Sequence, residues 1–243
     1  MATYLQFFHL GTGKYIDELL VDASMTARGV WHDGKIWYFY NGATMFHYTL
    51  TDNVFDRELG FAVSSKIPNY QNGGQGGMCG DRTNLYVAHH TSIQIGPVAQ
   101  IMNAVSIFTK RDIKFQDELF SETYGIGDSR YYDITHKGTS IVTMRERTSG
   151  GFIFSRRGVI NISTGKREIT NDSARGVRYR SFTYDDDKYW TGLANGRIDY
   201  VKRPLIPVGP QSATGASTSR ASCLVMDAGG NYKSTGILAV IRT

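Results

Sequence analysis

The chain has 243 residues, of which 41% are hydrophobic and 20% are charged, and its formal net charge is +5. This hydrophobic share is ordinary for a globular protein and argues against a disordered chain. The N-terminus lacks a basic segment followed by a long apolar run, and no run of 18 apolar residues occurs, so we expect neither a signal peptide nor a membrane span.

The first predicted element is a strongly β-forming run over residues 3–9. Nothing before it in the chain can pair with it. At the other end of the chain, the run from Gly236 to Ile241 has no strand after it. We therefore expect residues 3–9 to pair with this last run, because that pairing would remove two exposed sheet edges at once.

A short phrase that ends in Glu-Leu recurs along the chain. It covers residues 15–19, 55–59 and 115–119, and more loosely 165–169. Each copy is followed by a turn signal between two β-rich runs, and a fifth turn occurs at similar spacing without the phrase. The turns are Asp33-Gly34, Asp81-Arg82, Lys137-Gly138, Asp186-Asp187 and Gly229-Gly230. A repeat of about 48 residues with strand periodicity is typical of a propeller blade.

These elements predict an all-β fold, a five-bladed β-propeller closed by the N-terminal strand, which completes the last blade. Helical spacing never persists for three turns. We predict one domain over residues 1–243 and expect the Glu-Leu phrase on the inner strand of each blade. The approximate blades are residues 11–53, 54–111, 112–164, 165–204, and 205–243 together with 1–10.

Two stretches are predicted as long loops, residues 68–77 with four glycines in five positions, and residues 93–103. Long loops in a compact domain are usually functional or disordered. On a propeller they would project from one end of the ring. Tyr70, Asn72 and Gln75 are therefore candidate contact residues.

The carboxylates predict no catalytic residue. Four glutamates recur at the same place in the repeats, so we expect a structural role, either a hydrogen bond to a turn or a pair with a nearby Arg or Lys; they are Glu18, Glu58, Glu118 and Glu168. Glycoside hydrolysis needs two facing carboxylates in different environments. Nothing in the sequence pairs any two of the single carboxylates near the predicted inner strands, which are Asp22, Glu122, Asp128 and Asp172.

No metal site or cofactor is predicted. His89 and His90 are neighbours on a strand and belong to opposite faces, so they cannot share a metal ion. The run 185–187 of three aspartates lacks the alternating ligands of a calcium loop. Cys79 and Cys223 fall in equivalent strands of repeats two and five, which are not neighbours in a ring of five, so we expect buried thiols and no disulfide.

Positive charge is concentrated in the second half of the chain, since residues 1–120 carry a net charge of −2 and residues 121–243 a net charge of +7. The candidate binding surface is an arginine cluster formed by Arg145, Arg147, Arg156, Arg157, Arg178 and Arg180. Side-by-side arginines suit carboxylates or phosphates. A solvated basic face is the alternative. No module for reading nucleic-acid sequence is present, so sequence-specific nucleic-acid binding is not predicted.

The unit length and the number of units resemble those of five-bladed β-propellers, a group that includes tachylectin-type lectins and several glycosidase families. The resemblance covers architecture only, because the three tryptophans, Trp31, Trp37 and Trp190, do not form the Trp-rich repeat of the lectins, and no sialidase-type Asp box occurs. The composition, rich in Gly and Tyr and poor in Cys, resembles that of bacteriophage virion proteins, where small propellers serve as tail or spike modules.

Together these observations predict a non-enzymatic structural or binding propeller, a component of a phage-like virion that docks to partner subunits or to a host surface. The expected partners are other protein subunits of an assembly and a host-surface glycan, and the expected location is the virion after synthesis in the host cytoplasm. Two alternatives stay open, a lectin-like glycan binder and a glycoside hydrolase of a five-bladed family.

Overall fold

The computed structural model contains strands throughout and is all-β over the part of the chain that it describes, as predicted. The described residues are 2–9, 15–62, 77–125, 130–149, 152–175, 179–184, 189–193, 198–202, 206–207, 223–227 and 236–242. Within these ranges, no helix has the length and hydropathy needed to cross a membrane.

The strands of the described residues form five four-stranded antiparallel sheets. Sheet A contains, in spatial order, β19 (Cys223–Asp227), β20 (Gly236–Arg242), β1 (Thr3–His9) and β2 (Tyr15–Asp22). Sheet B contains β3 (Gly29–His32), β4 (Trp37–Tyr40), β5 (Thr44–Thr51) and β6 (Val54–Ala62). Sheet C contains β7 (Met78–Gly80), β8 (Asn84–Ile95), β9 (Val98–Thr109) and β10 (Phe115–Gly125).

Sheet D contains β11 (Arg130–Lys137), β12 (Ser140–Ser149), β13 (Phe152–Asn161) and β14 (Arg167–Arg175). Sheet E contains β15 (Tyr179–Tyr184), β16 (Tyr189–Leu193), β17 (Ile198–Lys202) and β18 (Ile206–Pro207). Sheets B to E are meanders of strands that follow one another in the chain. Among the strands of the described residues, sheet A alone joins the two ends of the chain.

The predicted turns that fall in the described residues connect the first and second strands of their sheets. In sheet B, Asp33 Oδ1 accepts hydrogen bonds from the main-chain N–H groups of Lys35 and Ile36. In sheet C, Asp81 Oδ1 accepts in the same way from Thr83 and Asn84. Aspartates favour this turn because their side chains satisfy main-chain donors that a tight turn leaves unpaired.

The core lies between neighbouring sheets. Phe7 of sheet A contacts Trp37 of sheet B edge to face. Trp31 of sheet B lies against Gly80 of sheet C, where an added Cβ would come within 2.9 Å of the indole ring. Every residue of β3 and β4 is buried. Short aromatic-rich strands are therefore covered on both faces by adjacent sheets.

The first strands of the sheets lie beside one another in order. β3 contacts β7, β7 contacts β11, β11 contacts β15, β15 contacts β19, and β19 contacts β3. The first strands of adjacent sheets are therefore in contact, and the fourth strands lie at the opposite edges of their sheets. This arrangement of four-stranded meanders is propeller-like.

The N-terminal strand pairs with the C-terminal strand as predicted. Residues 4–9 of β1 are opposite residues 242–237 of β20. The side chains of Leu5 and Phe8 are fully buried, and Thr3 Oγ1 donates a hydrogen bond of 2.6 Å to the carbonyl of Met25. Two N-terminal strands, β1 and β2, complete this sheet, whereas the sequence predicted one.

The prediction that the Glu-Leu phrase occupies inner strands is wrong. The phrase lies on β2, β6, β10 and β14, which are the fourth strands of sheets A to D. The reason is a turn that the sequence analysis did not use. Asp52 and Asn53 have φ angles of 50° and 64°, which are typical of a type I′ hairpin turn, and this turn pairs β6 with the preceding β5.

The predicted blade boundaries fall between strands that pair. The boundary at residues 53 and 54 separates β5 from β6, and the boundaries after residues 10, 111, 164 and 204 likewise separate the third and fourth strands of a sheet. The predicted loop at residues 93–103 is also wrong. β8 continues to Ile95 and β9 begins at Val98, since Gly96, with φ of 60°, allows a two-residue connection.

Deleting residues 1–10 is expected to destabilise the protein by about 5 kcal/mol or more, because it removes two fully buried side chains and exposes two strand edges. Urea unfolding of the truncated chain measures the loss. Deleting only residues 1–2, which precede β1, is the control and is expected to have little effect. Equal stability of both truncated chains would contradict the placement of β1 between β20 and β2.

Candidate functional site

Acid–arginine pairs join the fourth strands of neighbouring sheets. Arg57 of sheet B lies 3.5 Å from Asp22 of sheet A, and Arg167 of sheet D pairs with Glu122 of sheet C. Arg57 also lies over the ring of Phe46, at 5.6 Å from its centroid. Asp22 and Glu122, which were considered as single catalytic candidates, therefore make structural contacts between sheets.

The sequence contains a signal for these pairs that the sequence analysis missed. The residue before the glutamate of the phrase alternates between acid and arginine, as Asp17, Arg57, Asp117 and Arg167. The arginines occur in sheets B and D, and each contacts an acid on the preceding sheet.

The repeated glutamates make cross-strand hydrogen bonds. Gln6 Nε2 donates to Glu18 Oε2 at 2.7 Å, and Ser106 Oγ donates to Glu118 Oε2 at 2.9 Å. In both pairs the two residues are directly opposite each other on neighbouring strands. These contacts agree with the expected structural role, although these partners are side chains on the adjacent strand and not turns.

Ser106 links Glu118 to a buried histidine. His89 Nε2 lies 2.5 Å from Ser106 Oγ, and the His89 side chain is almost fully buried. Burial, together with the adjacent His90, lowers the pKa of His89 to about 3, so its ring is neutral near pH 7. Since the Ser106 proton goes to Glu118, the neutral imidazole donates from Nε2 to Ser106 Oγ.

This cluster does not have the order of a hydrolytic triad. In such a triad the histidine stands between the nucleophile and the acid. Here Ser106 stands between His89 and Glu118, and Ser106 is fully buried. The three residues therefore form a chain of hydrogen bonds that links β8, β9 and β10.

The remaining residues considered in the sequence analysis are possible metal ligands, a cysteine and two single carboxylates. Within the described residues, no three His, Cys, Asp or Glu side chains are grouped to hold a metal ion. Cys79 is buried and forms no disulfide, as expected. Asp172 lies on β14, and Asp128 lies outside the described residues.

Cross-strand register brings arginines together in sheet D. Arg145 on β12 is directly opposite Arg156 on β13, and Arg147 is opposite Phe154. Phe154 is in turn opposite Arg175 on β14. Because residues two apart on a strand share a face, the positions of these four arginines lie on one face of the sheet. We call Arg145, Arg147, Arg156 and Arg175 the arginine face.

A rung is the set of residues that lie opposite one another across the strands of a sheet. Among the described residues of sheet D, no rung of the arginine face holds an acidic residue. In the described ladder, the rung of Arg145 and Arg156 ends in Tyr131 on β11 and Ser173 on β14. The other face of the sheet has both acidic and basic residues at its described positions. There, Arg157 shares the rung of Met144 with Asp133, and Arg130 is opposite Glu146.

The arginine face is the face of sheet D that meets sheet C. Arg167 belongs to the same face, because it is opposite Ile160, four residues from Arg156 on β13. The ion pair between Arg167 and Glu122 therefore shows which sheet this face meets.

Sheet C offers neutral positions beyond that ion pair. Glu122 shares its rung with Asn103 and His90. The following same-face rungs hold only uncharged residues, which are Ser92, Ile101 and Tyr124, and then Gln94 and Ala99. These described rungs place neither a carboxylate nor a basic residue opposite the arginine face.

The structure brings together only part of the predicted cluster. Arg145, Arg147 and Arg156 share one face, whereas Arg157 lies on the opposite face. Arg180 lies on β15 of sheet E. Arg178 lies outside the described residues, and so do the three predicted loop contacts, Tyr70, Asn72 and Gln75.

The register of the arginine face continues to the ends of its two strands. Ser149, the last residue of β12, is directly opposite Phe152, the first residue of β13, and the same register aligns Arg145 with Arg156.

Comparisons with known proteins assign no family. No protein-family model matches the chain. No curated protein matches it in sequence. Among solved structures, the chain is similar to BamB from Moraxella catarrhalis with a TM-score of 0.34 and 9% sequence identity, over 100% of each chain. A likeness of this degree assigns neither a fold nor a function.

The buried His89 is expected to make stability fall in mild acid. Its pKa is lowered on folding from 6.5 to about 3, so between these values the unfolded chain binds a proton that the folded chain does not. The free energy of unfolding should therefore drop by about 2 kcal/mol from about pH 7 to about pH 5 through this residue. Urea unfolding at both pH values, in the wild type and in His89→Gln, measures the difference. An equal pH dependence in both proteins would contradict this assignment.

Proposed function

We propose that the chain is a non-enzymatic binding protein, a five-bladed propeller closed by its N-terminal strand, and that it docks to an anionic partner through the arginine face. The number of blades is supported by the five four-stranded sheets of the described residues. Ring closure is supported by the contact of β19 with β3, which returns the series of first strands to its beginning.

The role of β1 follows from the same arrangement. A sheet that contains strands from both ends of the chain joins those ends and covers the strand edges that each end alone would leave exposed. The pairing of β1 with both β20 and β2 supports this closure.

The observation that carries the binding function is the unbalanced charge of the arginine face. Like charges directly opposite each other on neighbouring strands destabilise a sheet, and Arg145 is directly opposite Arg156. Other arginines of this protein are placed with acids, as Arg167 is with Glu122. Arginines at directly opposite positions favour a role in anion binding, because a guanidinium binds carboxylate or phosphate through two hydrogen bonds.

The non-enzymatic part of this proposal is supported by the structural contacts of Asp22 and Ser106. Asp22 accepts a hydrogen bond from Tyr48 at 2.7 Å, and burial of Asp22 would raise its pKa, but this bond, those from Ser24 and the charge of Arg57 lower it. Asp22 is thus kept as a structural carboxylate, and Ser106 is occupied by Glu118.

Binding to polyanions tests the function. We expect the wild type to bind at least one of three fluorescent probes, poly-glutamate, heparin or an oligothymidylate, with an affinity that falls as salt is added. Arg145→Gln combined with Arg156→Gln should weaken binding by about tenfold or more, since charge-assisted hydrogen bonds are lost.

Arg157→Gln is the matched control, because Arg157 lies on the opposite face of the same strands. It should leave the affinity within about twofold of the wild type. A wild type that binds none of the probes, or a control that loses as much affinity as the double variant, would contradict the proposal.

The setting that we propose is an assembly such as a phage-like virion, and its support is the composition of the chain. The chain is then expected to remain with purified particles after a high-salt wash and to be detected in them by mass spectrometry. Its recovery only in the soluble fraction, at the same total amount, would rule this setting out.

A further inference from the structure

We infer that the outer edge of sheet A binds an extended segment of a partner protein, in which two adjacent basic residues are flanked by apolar residues. The site is β2, the fourth strand of sheet A, and among the described strands none pairs with its outer edge. Such an edge offers main-chain groups to another chain. The site lies on sheet A, so the inference does not rest on anion binding by the arginine face of sheet D.

Exposed apolar side chains are concentrated on β2. Among the described residues, four large hydrophobic side chains are exposed, and three of them belong to this strand. Tyr15, Ile16 and Leu20 are 51%, 49% and 48% exposed, and we call them the apolar edge. Strand edges are commonly protected by charged residues, whereas neighbouring exposed apolar side chains mark interaction sites. The apolar edge therefore has the properties of a contact surface.

The corresponding strand of sheet C, β10, is polar at the equivalent positions. Ile16 of β2 and Gln116 of β10 are both bulge residues that have no directly opposite partner. Leu20 and Ser121 are both opposite the residue two positions before the partner of the recurring glutamate. Gln116 and Ser121 are exposed. The fold therefore accepts polar residues at these positions, and their apolar character in β2 is not needed for packing.

The charges around the apolar edge favour a basic partner. β2 and the neighbouring β6 are in contact. Together they carry five acidic residues and one basic residue, which are Asp17, Glu18, Asp22, Asp56, Glu58 and Arg57. The arginine is the partner of Asp22. Pairing of β2 with β2 of a second copy would bring acids close to acids, so a segment with Lys or Arg is favoured over self-association.

The order of residues in β2 gives the pattern of the segment. Asp17 and Glu18 are adjacent, with Ile16 before them and Leu20 after them. A strand beside β2 would therefore place two adjacent basic residues against the acids and apolar residues on either side. Asp17 Oδ1 accepts a hydrogen bond of 2.8 Å from the main-chain N–H of Glu18. A carbonyl of the added segment can replace this acceptor, which leaves the Asp17 carboxylate for a lysine.

Three peptides of about ten residues test this inference on the wild-type protein. The first has a central Lys-Lys pair flanked by alternating Val and Thr, the second has Glu-Glu in place of the pair, and the third has Thr in place of every Val. We expect the first peptide to bind about tenfold more tightly than either of the others, measured by fluorescence anisotropy at one ionic strength. This comparison does not depend on a variant that folds.

Two variants connect the binding to the apolar edge. Ile16→Thr combined with Leu20→Thr should weaken binding of the first peptide by about tenfold, because apolar contacts are lost while threonine keeps a high strand propensity. Val54→Thr is the matched control, since Val54 is 56% exposed but belongs to β6 of sheet B. It should leave the affinity within about twofold of the wild type.

Equal binding of the Lys and Glu peptides, or equal binding of the first peptide by the wild type and the double variant, would overturn the inference. A wild-type dimer in analytical ultracentrifugation that the double variant does not form would also overturn it, because a second copy would then occupy the edge. None of these results bears on the polyanion test of the arginine face.

Discussion

The structure depends on the pairing of β1 with β20, because this is the contact that joins the two ends of the chain. Sheets B to E are made of strands that follow one another, so each can pair through short turns. Sheet A has to bring residues 3–9 beside residues 236–242. A strand edge without a partner exposes main-chain groups and is prone to pair with another molecule. The fully buried Leu5 and Phe8 supply the hydrophobic contacts that hold β1 in this place.

Charged residues have two different arrangements in this protein. Between sheets, acids and arginines are paired, as in Arg57 with Asp22 and Arg167 with Glu122, and the partly buried charges are compensated. On one face of sheet D, arginines occupy opposite positions without an acid on the same described rungs, whereas Asp133 and Glu146 occupy positions on the other face. This contrast within a single sheet is the reason for the proposal that the first face binds an anion, since both faces share the same strands.

Sequence reasoning identified strands better than it identified their partners. The turns at Asp33 and Asp81 were predicted because an Asp side chain can accept hydrogen bonds from the main chain two and three residues ahead, and the structure has these bonds. The turn at Asp52-Asn53 was missed, since neither residue is Gly, and the Glu-Leu phrase was therefore placed one strand too far along. Gly96 shows the same limit, because a two-residue turn there joins β8 and β9 where a loop was expected.

The sequence by itself determined that the described part of the chain is all-β and where several of its turns lie, because alternation and turn residues are local features. It also predicted that the two ends pair, because each end has a strand with no partner nearby in the chain. Only the tertiary structure decided which strands share a sheet and which arginines share a face. Those properties depend on the register across hairpins, where a shift of one residue moves every side chain to the opposite face. Arg156 and Arg157 are neighbours in the chain, yet the first lies opposite Arg145 and the second lies on the rung of Asp133.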